Sequence, residues 1–209
     1  LNQLLARNPD KAATLKLIQQ LAQPYKDLPE VHFAISQAAW FANQHPLAQE
    51  EMQRALALRP EWEIAAVHNG RILQRNSVEQ AREFYRDYLD KYPASNEVRV
   101  AYTRLLIGAG EADQARDQIQ WLMDKNSEDA EIMLAAGLLA TEMGDFATTE
   151  TSFKNALALG YKDSNAVYFH LAQIYEETNR PDLAMETYQM VKSGGRYLPA
   201  QIRYADLLA

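Results

Sequence analysis

One arrangement of small and apolar positions recurs along the chain. A small residue is followed four positions later by an apolar residue, usually large, and three beyond that by another apolar one. The sets are Thr14, Ile18, Leu21; Ala48, Met52, Ala55; Ala81, Tyr85, Tyr88; Ala115, Ile119, Leu122; Thr149, Phe153, Ala156; and Ala184, Tyr188, Val191. Successive first members stand 34, 33, 34, 34 and 35 residues apart. Positions i, i+4 and i+7 share one face of an α-helix. Each set therefore predicts an amphipathic helix, and the near-constant period predicts an array of repeated units.

A second apolar face precedes each set. Between residues 165 and 191, Tyr168, Leu171, Ala172 and Tyr175 mark a first helix, Asn179-Arg180-Pro181 a break, and Ala184, Tyr188 and Val191 a second helix. Comparable breaks fall at Asn8-Pro9, His45-Pro46, Asn76-Ser77, Gly108-Ala109-Gly110 and Gly144-Asp145, while Pro60, Pro93 and Ser127 separate the units. The extra residue of the last spacing is absorbed near Tyr161 to Ser164. Gly137 sits inside an apolar helical run although glycine there costs roughly 1 kcal/mol relative to alanine. That cost is offset if the second helix of the hairpin crosses the first most closely at this point. Gly144 reads as a left-handed helix stop and Asp145 as the cap of the next helix.

These residues resemble the tetratricopeptide repeat family, whose unit is a 34-residue helical hairpin. Residues 164–198 carry Tyr168, Leu171, Ala172, Tyr175, Ala184, Tyr188 and Val191 at the family's apolar, small and aromatic positions; residues 130–163 carry Met133, Ala136, Gly137, Ala140, Thr149, Phe153 and Ala156. The resemblance implies an all-α solenoid of antiparallel hairpins in a right-handed superhelix. Five hairpins are expected at 29–62, 63–95, 96–129, 130–163 and 164–198, with 1–28 a partial repeat and 199–209 the first helix of a truncated one, in a single continuous array. The unit at 63–95 is one residue short. Residues 1–7 fit the second half of a first helix. Ile202, Ala205, Leu207 and Leu208 lack the polar adaptation of a terminal repeat, which predicts either a fragment of a longer array or a tail that packs on a second copy.

Composition excludes several other classes. Hydrophobic residues are 47% and charged residues 23% of 209, the usage of a folded globular chain. No apolar run approaches the roughly 20 residues of a membrane-crossing helix. With no cysteine there are no disulfides and no thiolate ligands or nucleophiles. The net charge of −7 disfavours nucleic acid as partner. Charge is graded along the chain: residues 54–104 hold nine Lys/Arg against seven Asp/Glu, and residues 105–177 four against thirteen. His32, His45, His68 and His170 are scattered, without metal-ligand spacing or a nucleophile elbow. Gly194-Gly195 reads as a helix stop. No catalytic residues, metal or cofactor are expected, and the chain is not read as an enzyme.

In the resembled family, partners bind the concave surface lined by first helices. Carried onto this chain, the candidate groove residues are Phe33, Gln37, Trp40 and Phe41; His68, Arg71 and Arg75; Val100 and Arg104; Leu134 and Leu138; Phe169, His170 and Gln173; and Arg203. Phe33 and Trp40, seven apart, form an aromatic stripe, and Arg71, Arg75 and Arg104 could meet a carboxylate by bidentate hydrogen bonds. The Lys/Asn/Arg clamp with which some members hold a terminal carboxylate is not matched, since Phe33, Gln37, His68, Glu97 and Ala101 stand at its positions. The expected role is a protein-interaction scaffold or adaptor that binds another protein or a peptide segment. The alternatives are a structural module that self-assembles through open ends and, third, an RNA-binding helical repeat. The stretches "ALALRPEW", "YLDKYP" and "YQMVKSGGRYLPAQIRYADLLA" are further similar to repeat lipoproteins of Gram-negative outer membranes, which implies a periplasmic setting over a cytoplasmic one.

Overall fold

The computed structural model describes residues 10–208, so expectations for residues 1–7, for the Asn8-Pro9 break and for Ala209 lie outside the described residues. Twelve α-helices are present among them, and no strand. They are α1 (Lys11–Ala22), α2 (Pro29–Phe41), α3 (His45–Leu58), α4 (Glu63–Asn76), α5 (Val78–Lys91), α6 (Asn96–Gly108), α7 (Ala112–Lys125), α8 (Ala130–Glu142), α9 (Phe146–Ala158), α10 (Ser164–Glu177), α11 (Pro181–Gln189) and α12 (Tyr197–Leu208). The fold is an all-α helical repeat.

Local chemistry sets the helix ends. Aspartates at 10, 129, 145 and 163 accept hydrogen bonds from first-turn backbone N–H groups, as Asp145 does from Thr148 N at 3.1 Å. Pro29, Pro46 and Pro181 occupy first turns, where the missing N–H costs nothing. His45-Pro46, expected as a break, therefore opens α3. The turn before it reverses at Asn43, whose φ is +57°, as Gly144 does at +73°. Asn76-Ser77 differs: Ser77, with φ −160°, both ends α4 and caps α5 through Gln80 N at 3.3 Å. That one-residue connection contains no left-handed residue. Gly194-Gly195 does not stop α11, which ends at Gln189; Gly194 lies in the following connection.

The chain forms two compact units, Leu1–Leu105 and Leu106–Ala209. In the first, α2 packs on α3 and α4 on α5, with α1 against α2 and α3 against α4. Leu15, Ile35, Ala38, Ala39, Ala48, Met52, Ala65 and Ile72 form its core. Ala48 and Ala81 are fully buried, and a Cβ on Gly70 would fall 2.0 Å from Tyr85 Cζ. Polar groups also cross between helices. Ser36 Oγ donates to Ala48 O at 2.6 Å, and the buried His32 sets Nδ1 2.6 Å from Glu51 Oε2 and Nε2 2.7 Å from Lys26 O.

In the second unit α7 packs on α8, α8 on α9, α9 on α10, α10 on α11 and α11 on α12. Phe153, Val167, Leu171, Tyr175, Tyr188, Val191 and Ala200 form a core cluster, and Ala115, Thr149 and Ala184 are fully buried. A Cβ on Gly137 would lie 2.5 Å from both Phe153 Cδ1 and Cε1. The close crossing expected there is thus present. Glu150 ties three segments together, accepting from Lys154 Nζ at 2.6 Å, Arg180 Nη1 at 2.7 Å and Tyr175 OH at 3.1 Å.

Candidate interaction site

The first unit holds a pocket of about 280 Å³ between α2 and α4, floored by Met52 of α3. From α2 come Ser36, Gln37, Trp40 and Phe41, and from α4 His68, Arg71 and Ile72. The helical period explains the convergence. Residues 37, 40 and 41 share one α2 face, and 68, 71, 72 and 75 one α4 face. Six of the candidate residues meet here or at its rim: Gln37, Trp40, Phe41, His68, Arg71 and Arg75. The Arg75 guanidinium lies over the Trp40 ring, 5.7 Å from its centroid. Phe33 is adjacent, its ring 5.1 Å from His68 and 4.8 Å from Trp62.

The electrostatics of this mouth are cationic. Arg71 and Arg75 are exposed and form no ion pair among the described residues. Burial, assisted by the Arg71 charge, holds the His68 pKa below its ordinary value, so the imidazole is neutral at pH 7. Gln37, 7% exposed as a residue, lines the cavity with its side chain and makes no hydrogen bond among the described residues. Val100 and Arg104 lie on α6, half-buried and exposed respectively.

The second unit holds a smaller pocket of about 100 Å³ that includes Leu138, Thr141, Phe153, His170, Gln173 and Glu177. His170 Nδ1 lies 3.2 Å from Gln173 Oε1, and burial together with the Arg196 charge lowers its pKa. Leu134 is half-buried against the core cluster. Phe169 faces inward: it is 7% exposed, its ring 5.7 Å from Tyr188 and covered by Arg196 at 5.2 Å. Arg203 bonds to Glu176, which also accepts from Tyr188 OH. Phe169 and Arg203 are thus engaged in packing and pairing.

Trp62 joins the site without a sequence signal. It precedes α4, outside any helical pattern, and no spacing signal would have placed it beside Phe33. Met52 and Ile72 carried only a core signal, yet they form the floor and wall of the cavity. Among the described residues, no group of three or more His, Cys, Asp or Glu could hold a metal, and no helix is long and apolar enough to cross a membrane.

Within each unit, antiparallel helices pack on their neighbours and a side-chain-lined hollow lies between two first helices, the features of a helical-repeat scaffold. The Tetratricopeptide repeat family model matches residues 33–96 and 134–197, more than half of the sequence. The chain belongs to the tetratricopeptide repeat family. Proteins of this family are generally protein-interaction scaffolds, and the fold is typically non-catalytic.

Solved structures agree on the fold. Yeast Tom70 is similar with a TM-score of 0.75 at 14% identity over 99% of this chain, which spans 45% of the Tom70 chain. A thermophilic tetratricopeptide protein of Thermus thermophilus matches with a TM-score of 0.57 at 22% identity, over 86% of this chain and 98% of that one. PilF of Pseudomonas aeruginosa matches with a TM-score of 0.59 at 13% identity, over 99% and 93%. No curated protein matches the chain.

Proposed function

We propose that the chain is a non-catalytic scaffold or adaptor whose first-helix surface binds a segment of another protein, with the pocket between α2 and α4 as a principal contact. The observation that carries this is convergence: aromatic, amide and guanidinium groups meet in a cavity that the packing of the fold leaves unfilled. An aromatic and an arginine beside a concavity are the side chains that most often supply binding energy at protein interfaces. A cell-envelope setting belongs to the same reading, supported by the likeness of the sequence to outer-membrane repeat lipoproteins. The remaining candidate groove residues, Val100, Arg104, Leu134, Leu138, His170 and Gln173 among them, would extend the contact within each unit.

Affinity capture tests the reading. The wild-type chain and the double variant Trp40→Ala/Arg71→Glu, both confirmed folded by circular dichroism, are immobilised and exposed to envelope and cytoplasmic extracts of the source cells. A protein retained by the wild type and lost from the variant supports the proposal. Equal retention by both would place binding elsewhere.

A further inference from the structure

Within the proposed interaction role, on which this inference rests, we infer that the pocket between α2 and α4 recognises an internal acidic segment: one bulky apolar side chain in the cavity, followed by carboxylates on Arg71 and Arg75. At about 280 Å³ the cavity equals roughly nine waters at about 30 Å³ each, room for one large side chain and a short run of backbone. Trp40, Phe41, Met52 and Ile72 give it apolar walls. Its polar elements are specific. Gln37 is a mostly buried residue whose amide lines the cavity and makes no hydrogen bond among the described residues, so a donor and an acceptor stand ready for a peptide group of the occupant.

The charges complete the match. Arg71 and Arg75 lie one helical turn apart, about 5–6 Å between Cβ atoms. Alternate side chains of an extended peptide lie about 6–7 Å apart on one face. Two acidic residues spaced i, i+2 after the apolar anchor can therefore each meet a guanidinium. Packing does not require these arginines. At the corresponding repeat positions of the second unit, where Ile174 stands for Ile72 and His170 for His68, the chain carries Gln173 and Glu177. The same scaffold thus forms with a neutral and an acidic residue there, leaving the cationic rim free to serve recognition.

The test is selection from a phage library of random nonapeptides flanked on both sides by Gly/Ser linkers, which presents no free α-carboxylate. It is panned on the wild type and on Arg71→Glu/Arg75→Glu. The wild type is expected to enrich a bulky apolar residue with Asp or Glu within the next three positions. An acetylated, amidated peptide of the leading sequence should bind the charge-reversed variant at least tenfold more weakly, and Gln37→Ala several-fold more weakly. Enrichment of neutral or basic sequences, enrichment insensitive to the arginine reversal, or enrichment only from a companion library with free C-termini overturns this inference while leaving a peptide-binding scaffold intact. If no peptide is enriched from either library, the binding role itself falls and this inference with it.

Discussion

Gly137 gives a sharp test of the packing argument, because two opposing effects of known size meet at one atom. In Gly137→Ala the new methyl would sit 2.5 Å from Phe153 Cδ1 and Cε1 and 3.1 Å from Ser152 Cβ. Comfortable carbon contacts begin near 3.5 Å, so the ring must retreat by about 1 Å. Phe153 is 1% exposed and has no solvent to retreat into. Overpacking of this kind costs about 1–3 kcal/mol, while replacing a mid-helix glycine by alanine returns about 1 kcal/mol. The expected net for Gly137→Ala lies between near zero and a loss of about 2 kcal/mol, and Gly137→Leu, with three further carbons to place, should lose about 3 kcal/mol or more. Gly108→Ala is the control: no atom lies within 4 Å of its new Cβ, and the variant should be neutral or slightly stabilised. Urea unfolding followed by circular dichroism reads the difference in midpoint at constant slope. The double variant Gly137→Ala/Phe153→Leu should recover about 1 kcal/mol of the sum of the single losses, since the smaller side chain vacates the contested space. Ala172 stands at the corresponding repeat position, fully buried in the same core cluster as Tyr188, so an alanine is accommodated there. If Gly137→Ala is more stable than the wild type by about 1 kcal/mol, the full helix-propensity gain, or if Gly137→Leu is as stable as the wild type, the close crossing does not govern this hairpin.

Further expectations follow from the buried polar groups. Glu51→Ala strips the buried His32 of its carboxylate and should cost about 2–4 kcal/mol, measured by urea midpoint, with a smaller increment when His32→Ala is added. The Glu150 carboxyl is raised by burial but lowered more by bonds from Lys154, Arg180 and Tyr175, leaving its pKa below the ordinary 4.5. Its contribution is complete above about pH 4.5 and is lost as pH falls through the folded value, so Glu150→Gln should flatten the acid limb of a stability–pH curve. His68 and His170 titrate below their ordinary 6.5, chiefly through burial. The unfolded chain therefore takes up protons first as pH drops below about 6.5, so stability declines from there toward the folded values; His68→Asn should lessen that decline between about pH 7.5 and 5.5 in urea unfolding. Asp145→Ala, which removes the cap on Thr148 N, should cost about 1 kcal/mol in the same assay.

The fold was legible because its constraints repeat. A helix crossing at close range needs a small residue on one rod and a filler on the other, and the need returns with every hairpin. Hence Gly70 against Tyr85, and Gly137 against Phe153, leave the same mark in sequence. The short spacing at 63–95 marked a real departure, the single-residue turn at Ser77, although the sequence did not reveal its geometry. His45-Pro46 misled because proline is compatible both with a break and with a first helical turn; the reversal lies two residues earlier, at Asn43, where asparagine tolerates a positive φ.

The site was legible only in part, for the opposite reason. A helical face can be counted along one element, so Gln37, Trp40 and Phe41, and separately His68, Arg71 and Arg75, group together from the sequence alone. Which faces meet depends on how two rods lean together, and that is written in pairs distant along the chain. Phe33 finds Trp62 across 29 residues, and Arg203 finds Glu176 across 27, neither with a local signature. Phe169 and His170 are neighbours on one helix, yet the first turns inward under Arg196 and the second lines a pocket. Adjacent residues point about 100° apart on a helix, so a register misplaced by one residue exchanges those outcomes. The positions that recur hold the hairpins together. Those that change between corresponding places, Gln37 against Leu138, Arg71 against Gln173 and Arg75 against Glu177, are free of that duty, and recognition has room to act only where packing leaves the choice of side chain open.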